Sequence, residues 1–200
     1  MIIGPKYKIC KRLGASVFEK CQTQKFQLAE TRSPRRMKRG GSEYGAQLLE
    51  KQKGRFMYGL SEGQFSRYVH EAMDKKGVSS TGSLLSRLES RLDNVVFRSG
   101  FVKTRRAARQ VVSHGHIMVN ARRMTIPSYC VTIGDVIGIR PESRTSPLFA
   151  TRKEMAAGQT LPVWLTGDES GFEVTVNTVP SVGETEASFD AAKTIQFYSR

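Results

Sequence analysis

Cysteine is scarce in this chain. Its three residues, Cys10, Cys21 and Cys130, are an odd number at wide spacing, which argues against a disulfide framework and for a reducing compartment such as the cytoplasm. Long apolar runs are missing too. None approaches the roughly 20 residues of a membrane span, and Met1-Ile2-Ile3-Gly4-Pro5-Lys6 lacks the apolar stretch of a secretion signal. Acidic residues are the third shortage: from Asn94 to Gly134 there are none, against seven lysines and arginines. No internal repeat is present.

What remains is positive charge. The 200 residues carry a formal +14. A surplus of this size resists compaction by self-repulsion, which implies a polyanionic partner, with nucleic acid and an anionic membrane surface as the candidates. Its distribution is uneven: +10 over residues 1–60, +7 over 61–125 and −3 over 126–200. The basic two-thirds should face the polyanion, and the acidic third should face away from it or toward another protein.

The pattern along the chain predicts an α+β protein. Residues 1–41 read as an irregular basic arm, and Thr31–Gly41 alone holds five positive charges with Pro34 and two glycines. Such a segment reads either as a solvated, disordered tail or as an arm that orders only against RNA phosphates. Residues 42–76 read as two helices. Ser61 and Gln64 form a capping box, Leu60 and Phe65 a hydrophobic staple. Phe65, Tyr68, Val69, Ala72 and Met73 form one buried face, and Gly77 is the stop. A third helix is predicted over 81–98, with Leu84, Leu85, Leu88, Leu92, Val95 and Val96 inward and Arg87, Arg91, Asn94 and Arg98 together on another face. A fourth, over about 104–114, starts at a Thr104 cap. It buries Ala107, Ala108, Val111 and Val112, and leaves Arg105, Arg106, Arg109 and Gln110 outside. The period then changes from 3.6 to 2. Strands are expected at Ile117–Val119, Met124–Ile126 and Val136–Arg140, with turns at Asn120–Arg123 and Thr132–Asp135. Residues 141–200 read as loop-rich, with a strand at Phe172–Val176 and a helix or strand at Ala187–Tyr198. The domain boundaries expected are an arm (1–41), a helical domain (42–90, completed by 180–200) and an RNA-binding module with a loop-rich extension (91–179).

Arg91 to Gly115 is the most informative stretch. Two consecutive helices turn guanidinium groups outward from apolar backs, and arginine's planar, weakly hydrated fork suits phosphate oxygens. A merely solubilising surface would mix both signs. Other motifs fall short. Gly77-x-x-x-x-Gly82-Ser83 echoes a phosphate loop without its lysine. His114-x-His116 has no nearby acid or thiol to complete a metal site, and lies in positive surroundings.

The runs Arg91-Leu92-Asp93-Asn94-Val95-Val96-Phe97-Arg98-Ser99-Gly100-Phe101 and Thr104-Arg105-Arg106-Ala107-Ala108-Arg109-Gln110-Val111-Val112-Ser113-His114-Gly115-His116-Ile117-Met118-Val119-Asn120 resemble the S-four RNA-binding module. Residues Ser42–Lys53, Tyr58-Gly59 with Gln64-Phe65, Pro162-Val163-Trp164-Leu165 and the closing Phe197-Tyr198-Ser199-Arg200 resemble the S-four family of small-subunit ribosomal proteins itself, as does Gly4-Pro5-Lys6. The resemblance implies a structural constituent of the small ribosomal subunit that binds ribosomal RNA early in assembly. It further implies contact with ribosomal protein five and other subunit proteins, contact with messenger RNA where it enters the subunit, and an influence on decoding accuracy. The site would be a cytoplasmic ribosome, or an organellar one.

The alternatives are an RNA-modifying enzyme or a free-standing RNA chaperone with the same module. Pseudouridine synthases carry a catalytic aspartate in an Arg-Leu-Asp motif, and Arg91-Leu92-Asp93 has that look. Their motif follows the module inside a large catalytic domain, whereas here it precedes the module. Asp93 is therefore expected to be a structural carboxylate paired with a nearby arginine. No catalytic residue, cofactor or metal is expected. Some family members hold zinc with four N-terminal cysteines, but only Cys10 and Cys21 precede His70 here, too few to close a site.

The residues expected to meet RNA run through all three segments. The arm contributes Lys6, Lys8, Lys11, Arg12, Arg35, Arg36, Lys38 and Arg39. The helical domain contributes Lys51, Lys53, Arg55, Arg67 and Arg87. The module contributes Arg91, Asn94, Arg98, Lys103, Arg105, Arg106, Arg109, Gln110, Ser113, His114, His116, Arg122 and Arg123.

Overall fold

A computed structural model describes residues 4–24, 26, 28, 42–149, 161–180 and 189–199. The chain divides into two compact units, residues 1–84 with 186–200, and residues 85–185.

The first unit is helical. Helix α1 (Lys6–Leu13) follows Pro5 and ends at Gly14, whose φ of 64° lets its N–H reach the Cys10 carbonyl. A 3-10 turn at Glu19–Cys21 follows. This part of the arm is folded, contrary to the irregular reading. Cys10 and Leu13 are buried with Phe18, Cys21, Phe26 and Phe56. Four of the eight residues of α1 are basic, so its apolar stripe is narrow and includes a cysteine, a weak periodic signal. The remainder of the arm, including Arg35, Arg36, Lys38 and Arg39, lies outside the described residues.

Helices α2 (Glu43–Met57) and α3 (Glu62–Asp74) start where caps demand. Ser42 accepts from Gly45 N at 3.2 Å and Ser61 from Gln64 N at 3.3 Å. Gln64 Nε2 donates to the Tyr68 hydroxyl. The α3 face of Phe65, Tyr68, Val69 and Ala72 is buried as its period requires. The helix stops at Asp74, three residues before Gly77, and Lys75 is already extended. The C-terminal segment is a helix, α7 (Ala191–Tyr198), capped by Asp190, which accepts from Lys193 N.

The predicted third helix is two. Helix α4 (Ser80–Glu89) and α5 (Leu92–Arg98) are separated at Ser90–Arg91, where Arg91 is extended and forms a bridge with Cys130. The amides of Leu92 and Asp93, which a continuous helix would direct to residues 88 and 89, instead donate to the carbonyls of Tyr129 and Pro127 at 2.8 and 3.1 Å. The apolar period runs unbroken across this point, so only the pairing with a distant loop reveals the break.

Helix α6 (Arg105–Ser113) is capped by Thr104, which accepts from Ala107 N at 3.1 Å. Five antiparallel strands follow: β1 (Ile117–Val119), β2 (Arg122–Met124), β3 (Val136–Ile139), β4 (Leu165–Gly167) and β5 (Glu173–Val176), in the order β2-β1-β3-β5-β4. One face buries Ile117, Val119, Ile137, Ile139, Val174 and Val176 with Leu92, Val95 and Val96 of α5 and Ala108, Val111 and Val112 of α6. Trp164 and Phe149 complete this core. Strand β4, unpredicted, is three residues long and carries no alternation to read.

The β1–β2 turn is shorter than predicted. Val119 pairs with Arg122, so only Asn120 and Ala121 bridge the strands, at φ of 50° and 62°. Both residues are left-handed, as a type I′ hairpin requires. Asn120 is held there by Asp135, which accepts from its Nδ2 at 2.8 Å, while its Oδ1 accepts from Val136 N at 2.9 Å. Ala121 carries the strain of an L-residue with a Cβ. Ala121→Gly is expected to stabilise this unit by about 1 kcal/mol; a lower urea midpoint in the variant would contradict it.

Candidate nucleic-acid interface

Among the arginines predicted to meet RNA, the structure makes two groups. The first is buried. Arg91 is 2% exposed, and its Nε and Nη2 donate to the two oxygens of Asp93 at 3.0 and 2.8 Å. Arg109 approaches the same carboxylate from α6, with Nη2 2.6 Å from Oδ2. Asp93 is thus the structural, arginine-paired carboxylate expected, and its oxygens are occupied by two cations. Asn94 is buried, and its Nδ2 donates to the carboxylate of Glu89 at 2.7 Å and to the Glu89 carbonyl at 3.1 Å. Arg98 closes on the same Glu89 with two hydrogen bonds of 3.0 and 3.1 Å. In this structure Arg91, Asn94 and Arg98 therefore point inward. Their polar groups are engaged with Asp93 and Glu89, because buried charges must be paired.

The second group lies outside. Arg106, Gln110 and Ser113 are exposed and follow one another at steps of four and three, a single stripe along α6; exposed Lys103 stands just before the helix, ahead of the extended Thr104. His114, Arg122 and Arg123 are exposed as well, the arginines on the edge strand β2. Arg123 lies across the end of α6, and its Nη2 donates to the His114 carbonyl at 3.3 Å. A Cβ at Gly115, itself at φ 76°, would run into this guanidinium. Glycine here permits both the sharp exit from α6 and the close seat of Arg123.

Arg105 and Arg109 stand between the groups, half-buried at the root of the stripe. Arg105 Nε donates to Asn94 Oδ1 at 2.8 Å, and its guanidinium carbon lies 4.4 Å from the Phe97 ring centroid. His116 is half-buried, sharing a 2.9 Å hydrogen bond with Ser143 Oγ and facing the Phe149 ring. It packs inside the unit.

The helical unit places its predicted contacts variously. Lys51 is buried, its ammonium 2.6 Å from Glu62 and 4.6 Å from the Phe197 ring centroid. Lys53 pairs with Glu50, and Arg55 with Glu62. Lys6 lies over Phe18. Lys8, Lys11, Arg12 and Arg67 are exposed, and Arg87 is half-buried.

The sequence reading missed Glu89, Phe97 and Ser143, which hold Arg98 and Asn94, Arg105, and His116. Glu89 carried a signal: an acid directly after Leu88 in a helix otherwise apolar on that side. The other two gave none, because their roles depend on residues brought from elsewhere.

Among the described residues no group of three or more His, Cys, Asp or Glu could hold a metal, and no helix is long and apolar enough to cross a membrane.

The chain is 41% identical to the small ribosomal subunit protein uS4 of Acetivibrio thermocellus, over 98% of both chains. This chain belongs to the uS4 family. The uS4 proteins of Natranaerobius thermophilus and Persephonella marina are 42% and 43% identical, again over 98% of each chain. Two family profiles match parts of the chain: the ribosomal protein S4/S9 N-terminal domain matches residues 1–89, and the S4 domain residues 90–137. The exposed α6 stripe, the β2 arginines and both buried carboxylate–arginine clusters, Glu89 excepted, fall within the S4 domain match.

Proposed function

We propose that this chain is a structural, non-catalytic constituent of the small ribosomal subunit that binds its ribosomal RNA through α6 and the β1–β2 hairpin. The observation that carries the reading is the stripe of Arg106, Gln110 and Ser113, with Lys103 just ahead of it and Arg122 and Arg123 beside it, on a helix whose opposite side is locked into a sheet core. A rigid surface with cations at fixed spacing suits the phosphates of a folded RNA, which is read largely by shape and backbone. Counterion release supplies much of the affinity.

The same proposal assigns RNA contacts to the arm (1–41) and to Lys51, Lys53, Arg55, Arg67 and Arg87 of the helical domain (42–90 with 180–200) as well, and the principal contact to the module with its extension (91–179). Other subunit proteins, ribosomal protein five among them, and messenger RNA where it enters the subunit are its further partners. Its location is the ribosome, cytoplasmic or organellar. Membership in the uS4 family supports these assignments.

The test is titration of a small-subunit ribosomal-RNA fragment over a range of salt. Arg106→Ala with Arg123→Ala is expected to weaken binding and flatten the dependence of log K on log salt by up to about two. An unchanged slope would place these residues off the RNA and overturn the reading. Arg109 is unsuited to this test, because its removal also disturbs Asp93.

A further inference from the structure

We infer that Tyr7 is a stacking platform for an unpaired RNA base, a nucleic-acid contact carried by α1 of the helical unit. The inference rests on the RNA-binding reading above and deepens it by naming the chemical group that this part of the arm receives.

Tyr7 is 49% exposed, yet its ring is not loose. It stacks on the Phe26 ring, with centroids 5.4 Å apart and planes 24° from parallel. Phe26 is itself buried with Cys10, Leu13, Phe18 and Cys21. The helix beneath Tyr7 is pinned in the same way. Cys10 and Leu13 fix one side of it in that cluster, Lys6 lies over the Phe18 ring, and the Cys21 thiol donates to the Lys6 carbonyl at 3.8 Å. An aromatic ring already held at one angle loses little side-chain entropy when a ligand covers it.

What the open part of the ring can take follows from its surroundings. Residues 1–18 contain no acid and carry Lys6, Lys8, Lys11 and Arg12. Lys8, Lys11 and Arg12 are exposed, and Lys11, four residues on, is the neighbour of Tyr7 on the helix surface. The core of a protein–protein interface is poor in lysine, whereas a polyanion is drawn to such a field. Phosphates satisfy the cations but gain nothing from a flat apolar ring. A nucleobase does, through its π-face, and every base has one. Bases inside an RNA helix already cover both faces with their neighbours, so the ring selects unpaired nucleotides. Tyr44 shows the contrast: it is equally exposed, but it follows Glu43 and tilts against Phe197. The α6 stripe and the β2 arginines meet the backbone of folded RNA, and Tyr7 reads whether a base is free to stack.

The purified full-length protein is titrated with two RNAs of equal length: a folded small-subunit ribosomal-RNA fragment that contains unpaired nucleotides, and a fully paired duplex. Tyr7→Leu keeps an apolar side chain against Phe26 but removes the flat face. It is expected to weaken binding to the ribosomal fragment about tenfold. The affinity for the duplex and both salt slopes should stay as they are, since no cation is lost. Tyr7→Phe, which keeps the ring, should bind both RNAs as the wild type does. Ultraviolet irradiation of the wild-type complex, followed by mass spectrometry, should place a nucleotide adduct on Tyr7 with the ribosomal fragment and none there with the duplex. Adducts confined to other residues overturn the inference, and this measurement stands even where Tyr7→Leu does not fold. Undiminished binding of the ribosomal fragment by a folded Tyr7→Leu overturns it as well, while the RNA-binding reading, which is tested at Arg106 and Arg123, survives. Equal loss for both RNAs shows that Tyr7 only supports its helix and also overturns it. A wild type that binds neither RNA overturns both readings.

Discussion

Asp93→Asn is expected to destabilise the unit of residues 85–185 by about 3–5 kcal/mol, the cost of breaking a buried ion pair by removing one partner. The native carboxylate accepts from Arg91 at 2.8 and 3.0 Å and from Arg109 at 2.6 and 2.9 Å. The side chains of Arg91 and Asp93 are 3% and 5% exposed. Asparagine keeps the volume but presents one oxygen and one NH2 group, so a donor meets a donor and the buried Arg91 cation loses the Asp93 charge. Arg109→Gln should cost less, about 1–3 kcal/mol, because Arg109 is 32% exposed and Arg91 keeps its partner. Urea denaturation measures both. If the two variants cost the same, the Arg91–Asp93 pair is not the dominant contact. The asparagine variant also addresses the rival enzyme reading: a turnover on ribosomal-RNA fragments that disappears with Asp93→Asn would revive it.

Removing residues 190–200 is expected to unfold the unit of residues 1–84, since the whole stability of a small domain is only about 5–15 kcal/mol and α7 completes its packing. Asp190 N donates to Glu50 at 2.8 Å, and the Tyr198 hydroxyl donates to Glu62 at 2.7 Å. Phe197 and Tyr198 cover the Lys51 ammonium. Just before the helix, Phe189 lies on Gly54, where a Cβ would come within 3.0 Å of the ring. Loss of α7 therefore leaves Lys51 and Glu62 with fewer partners and opens the α2–α3 face to water. Circular dichroism of the truncated chain tests this; retained helicity with an unchanged thermal midpoint would show that α2 and α3 stand alone.

The same contacts set a pH window. Burial opposes the ionisation of Glu62, but hydrogen bonds from Lys51 and Tyr198 and the charges of Lys51 and Arg55 outweigh it, leaving the carboxyl below its ordinary 4.5. Its stabilisation is present above 4.5 and lost as pH falls through the folded value. Burial, then the hydrogen bond and charge of Glu62, push the Tyr198 phenol above its ordinary 10. That stabilisation is present below 10 and lost as pH rises through the folded value. The difference in thermal midpoint between wild type and Tyr198→Phe should thus be greatest between these limits and shrink beyond each. Its size is modest, because Glu62 is 44% exposed and screened by solvent. A difference independent of pH would mean that Tyr198 acts by packing alone.

Sequence by itself determined much of this protein. The caps at Ser61 and Thr104, the buried face of α3, the strands β1, β3 and β5 and the positive α6 surface all follow from local chemistry: a hydroxyl three residues from a free amide, or an apolar period of 3.6 or 2. The excess of +14, with no acid between Asn94 and Gly134, pointed to a polyanion without any fold. Tertiary structure decided which cations can face that polyanion. Arg91, Arg98 and Arg106 have the same side chain in neighbouring positions, yet two are sealed against Asp93 and Glu89 while the third is exposed. Period and composition do not distinguish them, because the distinction rests on long-range partners: the residue 127–131 loop that breaks the helix at Arg91, and the α6 helix that returns Arg109 to Asp93. A guanidinium goes inward only where a carboxylate offsets its desolvation, and only the folded chain puts that carboxylate in place.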